Sequence, residues 1–563
     1  MFTRNRSIAV IVFSVFGLMG IGWIVGSDRV QAVGDDYPEN IRQLQQITSQ
    51  IQERYVDEID SKEAVDAAIR GMLDALDPYT EFLEKKQNDE MKMMQIQGKY
   101  GGLGIKIQKQ DDVLVVVGLF DDTPAYNVGI QTGDRIVKIE QESTVELDVV
   151  DAADLLRGDP GTSVTISVDR EDAKEEIRYI ITRSIITIPV VPYAGVIQDN
   201  VGYIKLNHFT EDAGIDVERA LKQLKARGVK GLVFDLRRNP GGLLEQAVSV
   251  ASKFLDEGSL IVYTKGREGR QNKKYSAKSD FVVRDIPLVV LVDEYSASAS
   301  EIVAGAIQDW DRGVIVGITT FGKALVQQIF PMTNGTALKI TTARYYTPSG
   351  RLIQKIKHKT QKAKLEEKSE EEKYYTNAGR VVYGGGGISP DFTTALPEYP
   401  RLVGKLYEQG MFVKFAAHYT SNAPEMDRDD FEVTDAMIQE FRVFLKSKEF
   451  TYTSDSELEL DKLEEIARKR QFKQDIFKSI QTLRTKIQAQ RDVDFTAGHN
   501  QIQAQIGTEV GAKLWGDEGR YSYAIQHDPD VQTAVNILKD QESYRQQLSA
   551  QTLGMNQSLS HIR

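Results

Sequence analysis

A multidomain α+β protein is predicted by three features of these 563 residues. Apolar runs at 201–206, 231–236, 288–292 and 314–317 read as buried strands separated by helices, which indicates an α/β core. Beyond Pro400 the chain is rich in Gln, Glu, Lys and Arg. Helical spacing there, as at Leu458, Leu460, Leu463, Ile466 and Ala467, predicts a C-terminal helical domain over 401–563. Ordinary hydrophobic content at this length implies about three or four domains with substantial cores.

In chain order, Arg4-Asn5-Arg6 precedes an apolar stretch from Ile8 to Val25, the arrangement of a secretory signal or a signal anchor. Val30-Gln31-Ala32 offers a small-residue cleavage site, yet the stretch is long for a signal core and just long enough to span a bilayer. Residues 1–33 are therefore read as signal peptide or membrane anchor. Ile41, Leu44, Ile47, Ile51 and Tyr55, then the pattern from Lys62 to Leu76, predict packing helices in a segment over 34–91. The core spans 173–400, with further strands at 338–346 and around 381–388. Within it the stretch from Lys355 to Lys373 turns from basic to acidic and reads as an exposed insertion.

Composition narrows the chemistry. The net charge of −12 argues against a nucleic-acid partner. The absence of cysteine excludes disulfides, thiolate metal sites and lipid attachment through cysteine.

The strongest chemical signal is Ser296-Ala297-Ser298-Ala299-Ser300-Glu301, followed by Phe321-Gly322-Lys323 and Gln327. The serines sit where the strand 288–292 turns into a helix predicted over 301–308. The first N–H groups of a helix lack intrahelical partners, so the Ala299 amide is a candidate oxyanion donor beside Ser298. A serine hydroxyl needs a base. None of the six histidines, His208, His358, His418, His499, His527 and His561, is near the serines in sequence. Lys323 can serve if burial and the absence of a nearby carboxylate bring its pKa down from ~10.4. The stretch 319–326 carries no other charge, and Gln327 can orient the amine without adding one. The loop from Gly317 to Lys323 nearly spells a phosphate-binding P-loop. It fails because Ala324 replaces the Mg²⁺-binding Ser or Thr and a strand, not a helix, is predicted after it.

Together these motifs resemble the PDZ-containing carboxyl-terminal processing proteases, also called tail-specific proteases, a serine/lysine dyad family. The resemblance makes Ser298 the nucleophile, because Lys323 follows it by 25 positions. It differs in having Ala324 where a glycine is usual. The segment from Gly231 to Leu243, containing Arg237-Arg238-Asn239-Pro240-Gly241-Gly242, resembles the family's strand-to-turn segment. By that resemblance Gly242 joins Ala299 in the oxyanion hole. Arg238 stands where a small residue is common, so its side chain is expected to point away from the cleft or to help bind substrate.

A PDZ domain is expected over 92–172. Tyr100-Gly101-Gly102-Leu103-Gly104-Ile105 resembles its carboxylate-binding loop, and Thr123 to Ile136 resembles the helix and turn found in bacterial proteases. Glycines leave N–H groups open to a terminal carboxylate. The strand from Gly104 can then pair with the peptide's last residues, and a helix over 149–156 lines the groove. Gly102, Leu103, Gly104 and Ile105 are the candidate substrate-binding residues.

The resemblance thus implies a serine endopeptidase of the bacterial cell envelope, facing the periplasm, either anchored in the inner membrane or soluble. Its substrates would be proteins or peptides with free C-termini, cleaved through an acyl-enzyme by Ser298, Lys323 and Gln327 without cofactor or metal. An adaptor or activator protein and an oligomer are compatible with it. A non-catalytic PDZ adaptor is the rival reading, against which the intact Ser298, Lys323 and Gln327 speak.

Overall fold

The computed structural model describes residues 37–549 apart from 111, 171–172, 268, 279–281, 356–371, 396–399, 423–425 and 429. The chain divides into two units near Phe82. In the first, helices Tyr37–Arg54 and Ser61–Asp74 form where the apolar spacing predicts them. Asp60 caps the second by accepting the Lys62 N–H at 2.7 Å. Neither helix buries a residue, so the expected packing faces are not closed within this unit. Among the described residues no helix is long and apolar enough to cross a membrane. The Ile8 to Val25 stretch and most of the charged insertion lie outside them.

In the second unit, strands Ile105–Gln110, Val113–Leu119, Arg135–Ile139, Ser163–Asp169 and Ile177–Thr182 form an antiparallel sheet in that order. Leu114, Val116, Ile136, Ile166 and Val168 fill its core together with Ala152 and Leu156 from the helix Val149–Leu156. Strand Lys99–Gly102 leaves this sheet and pairs with Ser184–Thr187. Of the carboxylate-loop candidates, Gly102 ends this two-stranded ladder and Ile105 opens the first strand of the sheet.

The central sheet has the order Tyr193–Val196, Val201–Lys205, Gly231–Asp235, Leu288–Val292, Val314–Gly317, Phe392–Thr393, parallel except for its first pair. Uninterrupted apolar runs are what a sheet covered on both faces requires. Leu232, Phe234, Val290 and Ile315 pack against helices Ala213–Ala226, Leu244–Ser252 and Ala299–Asp309. Alternate residues Val233, Val289, Leu291 and Val316 meet Val531, Val535 and Leu538 of helix Pro529–Lys539. A Cβ at Gly231 would lie 3.2 Å from Leu538, so this approach uses the missing side chain. A second antiparallel layer contains Leu325–Pro331, Ala337–Tyr346, Leu260–Gly266 and Lys274–Ser276.

The C-terminal helices have their own aromatic core, in which Phe412, Phe415, Phe441 and Phe444 pack with Ile502 and Ile506. The predicted helical domain also contacts the rest of this unit. Helix His499–Gln526 breaks at Trp515 and Gly516. Just beyond the break Asp517 pairs with Lys106 at 2.7 Å, and the Arg520 guanidinium donates to the Val117 carbonyl at 2.9 Å. Helix Pro529–Lys539 then closes the central sheet from residues about three hundred positions after its second strand. Periodicity reported these helices; it carried no information on the face they cover.

Candidate active site

Strand Leu288–Val292 ends in a turn built by Asp293, whose carboxylate accepts the N–H groups of Arg238 at 2.9 Å, Tyr295 at 3.1 Å and Ser296 at 3.0 Å. The three serines then separate by environment. Ser296 is fully buried and donates to the Leu236 carbonyl at 2.9 Å; Ser300, also fully buried, donates to the Asn239 carbonyl at 2.8 Å. Ser298 lies between them, partly exposed, at the entry of helix Ala299–Asp309 with φ 54°. A positive φ at a non-glycine residue costs on the order of 1 kcal/mol or more and persists where the surroundings impose it.

The opposite wall is the turn from Arg237 to Gly242. Asn239 is fully buried, its amide donating to the Leu206 carbonyl and its Oδ1 accepting the Gly241 N–H, both at 2.9 Å. The Phe209 N–H donates to Gly241 O and the Leu243 N–H to Phe209 O, so the Gly242 N–H is turned the other way. A Cβ on Gly241 would sit 2.9 Å from the Ala299 nitrogen and 2.9 Å from Ser298 Cβ. The glycine turn thus abuts the Ser298 loop, as two cooperating amide donors from Gly242 and Ala299 would require. Arg238, at φ 57°, is exposed with its guanidinium 5.9 Å from the Tyr295 ring.

Lys323 donates to Gln327 Oε1 at 3.2 Å, the contact expected from their spacing. Ala324, in place of the usual glycine, is buried without a positive φ and donates its N–H to Gln354 at 2.8 Å, so the substitution introduces no backbone strain. Strand Leu325–Pro331 follows directly. No helix receives the loop, and the P-loop reading has no structural counterpart.

Sequence reasoning missed the group joining the two loops. Glu301, fully buried, accepts N–H groups from Ser298 at 2.8 Å, Gly322 at 2.7 Å and Lys323 at 2.9 Å, and the Thr320 hydroxyl at 2.6 Å. Burial pushes its carboxyl up to about 7, against the four hydrogen bonds that favour the ionised form. No carboxylate stands beside Lys323 in the sequence, but one lies at its backbone N–H. The fold brings in Glu301 from the serine helix, beneath the lysine's backbone. A legible signal existed in the spacing Ser298-x-x-Glu301, a capping-box pattern. Tyr345, fully buried, adds a second tie, its hydroxyl reaching the Ser298 carbonyl at 3.1 Å and the Lys323 carbonyl.

Gly102, Leu103, Gly104 and Ile105 line one small groove with Ile107, Ala153 and Leu156. The Tyr100 ring closes over Gly102, where a Cβ would lie 2.7 Å from it.

Peptidase family S41 matches residues 200–363, a PDZ domain 115–170, a probable PDZ-protease C-terminal helical domain 402–538, and an activating protease CtpB N-terminal domain 26–87. A carboxy-terminal-processing protease of Bartonella bacilliformis is 38% identical over 55% of this chain and 71% of its own length. The chain belongs to the carboxy-terminal processing protease family. A family member from Synechocystis is 36% identical over 54% of this chain and 72% of its own. Processing protease CtpA of Bacillus subtilis is 32% identical over 55% and 66%. Among solved structures, a photosystem II D1 C-terminal processing protease is 28% identical, covering 61% of this chain and 86% of its own, with a TM-score of 0.36. This processing protease is accordingly a serine-type peptidase whose PDZ domain implies protein or peptide substrates.

Proposed function

We propose that the peptidase acts as an endopeptidase of the bacterial cell envelope, binding a substrate's free C-terminus through the PDZ domain and cleaving nearby with Ser298. Lys323, oriented by Gln327, takes the Ser298 proton as the hydroxyl attacks the scissile carbonyl. The amides of Gly242 and Ala299 receive the developing oxyanion; one such donor contributes about 10²–10³ in rate. The amine leaves with a proton from Lys323, and water then releases the acyl group with the lysine again as base. Gly102 to Ile105 take the terminal carboxylate at the groove beside the helix Val149–Leu156. The envelope location rests on Arg4-Asn5-Arg6 and the stretch from Ile8 to Val25.

The observation that carries this reading is the Glu301 carboxylate, which binds the backbones of Ser298 and Lys323 at once and so fixes nucleophile and base loops together. The test is intact-protein mass spectrometry during turnover of an unstructured protein substrate. A covalent adduct mapping to Ser298, absent from Ser298→Ala, is expected. An adduct on another serine, or hydrolysis by Ser298→Ala at the wild-type rate, would remove the assignment.

A further inference from the structure

We infer that the C-terminal helical domain and the PDZ edge strand form a second substrate-reading surface, a polar groove that takes the fourth side chain from the end of a bound tail and favours an uncharged hydrogen-bonding group there. The inference rests on the reading above, that a free C-terminal tail binds along this strand.

Among the described residues, strand Ile105–Gln110 ends its sheet, pairing only with Val113–Leu119, so its outer edge offers N–H and C=O groups to an added strand. Its side chains alternate between two surfaces. Ile105 and Ile107 line the small apolar groove with Ala153 and Leu156, and Lys109 reaches the Val145 and Leu147 carbonyls on the same side. Lys106, Gln108 and Gln110 face the helical domain. Lys106 pairs with Asp517, and Gln110 abuts Gly410. Gln108 lines a groove of about 670 Å³ with Arg401, Lys405, Tyr407, Glu408 and Asp455.

An antiparallel tail inherits the same period of two. With its carboxylate at Gly102 to Ile105 and its last residue opposite Ile105, the last and third-from-last side chains enter the apolar groove. The penultimate side chain falls opposite Lys106. The fourth-from-last falls opposite Gln108, at the polar groove. The charges there balance: Arg401 and Lys405 against Glu408 and Asp455, with Lys405 paired to Glu408. A charged tail residue meets a like charge as well as an opposite one. An apolar residue desolvates these groups without replacing their hydrogen bonds. An amide or hydroxyl can donate and accept.

The test uses full-length Ser298→Ala protein and fluorescence anisotropy with labelled ten-residue peptides carrying Asn, Leu or Glu at the fourth-from-last position, plus the Asn peptide amidated at its terminus. Asn is expected to bind about three- to tenfold tighter than Leu or Glu. That preference should disappear in a Gln108→Ala, Asp455→Ala double variant, both positions being exposed. Moving the series to the third-from-last position should reverse it in favour of Leu. Equal binding of Asn, Leu and Glu with the amidated peptide still weaker would overturn the inference while leaving tail recognition standing. Equal binding of amidated and free peptides would overturn tail recognition, and the inference with it.

Discussion

Glu301 accepts the backbone N–H of Lys323 at 2.9 Å while its other carboxylate oxygen accepts the Gly322 N–H at 2.7 Å. With Ser298 and Thr320 also donating to it, one buried carboxyl holds the serine and lysine loops in register. Glutamine at 301 keeps the volume but turns an NH₂ group towards two of these donors. Glu301→Gln should lower turnover at least tenfold and destabilise the fold by about 1–3 kcal/mol. Full turnover with unchanged thermal stability would contradict this role.

The same residue gives a pH signature. Its folded value of about 7 lies above the ordinary 4.5, so folding takes up a proton between the two. The carboxyl's contribution to stability is highest below about pH 4.5, falls as pH rises through 7, and is level above. The full change is about 3 kcal/mol at most. Thermal unfolding from pH 4.5 to 8 should show this descending component in wild type and not in Glu301→Gln. Parallel curves for the two proteins would refute it.

Ser298→Ala and Lys323→Ala should each abolish cleavage, and the double variant should be no worse, because nucleophile and base act as a unit. Gln327→Ala should retain more activity. Ser296→Ala and Ser300→Ala are expected to keep the chemistry but lose about 1–3 kcal/mol of stability each, since their hydroxyls hold the carbonyls of Leu236 and Asn239. Peptide hydrolysis and denaturant unfolding on the six variants separate the two patterns. Inactivation by Ser296→Ala with wild-type stability would move the nucleophile.

Local pattern made much of this molecule legible. The helix Val149–Leu156, the core strands and the partners Lys323 and Gln327 follow from apolar runs and short spacings, whose physics is local. Glu301 was hidden because its meaning is a burial and four donors gathered from two loops, though the residue itself stood in the serine motif. Tyr345 was hidden for the same reason, as one aromatic in a strand that reads like any other. Helix Pro529–Lys539 falls inside the helical region predicted over 401–563, but its amphipathic face does not say that Val233 and Val289 are its partners.

The N-terminal segment predicts export. Residues 1–40 fused to a reporter should cross the cytoplasmic membrane. Recovery of the full-length protein with membranes would identify Ile8 to Val25 as an anchor, and a soluble product beginning near Val33 would identify cleavage after Ala32. Retention of the reporter in the cytoplasm would refute both.

Arg237 links the helical domain to the glycine turn proposed to hold the oxyanion. Its guanidinium holds Asp235 at 2.7 Å and reaches Asp528 at 3.0 Å and Asp530 at 3.1 Å, at the start of helix Pro529–Lys539. Burial pushes the Asp235 carboxyl up, but Arg237 and Lys205 outweigh it and hold it below the ordinary carboxylate range. The Arg237 carbonyl in turn accepts the Lys205 ammonium, and the chain runs from there to Gly241 and Gly242. Neutralising the helical domain's acids leaves Asp235 as the guanidinium's remaining carboxylate partner, and the glycine turn loses one of its fixings. Asp528→Asn with Asp530→Asn should therefore lower kcat on the order of tenfold, part of one oxyanion donor's effect, with KM little changed. Truncation after His527 goes further, exposing Val233, Val289, Leu291 and Val316, and should yield unfolded or aggregated protein. Steady-state kinetics well below the melting temperature decide the point. If the double variant melts lower but keeps its kcat, the helical domain only covers the sheet and does not position the turn.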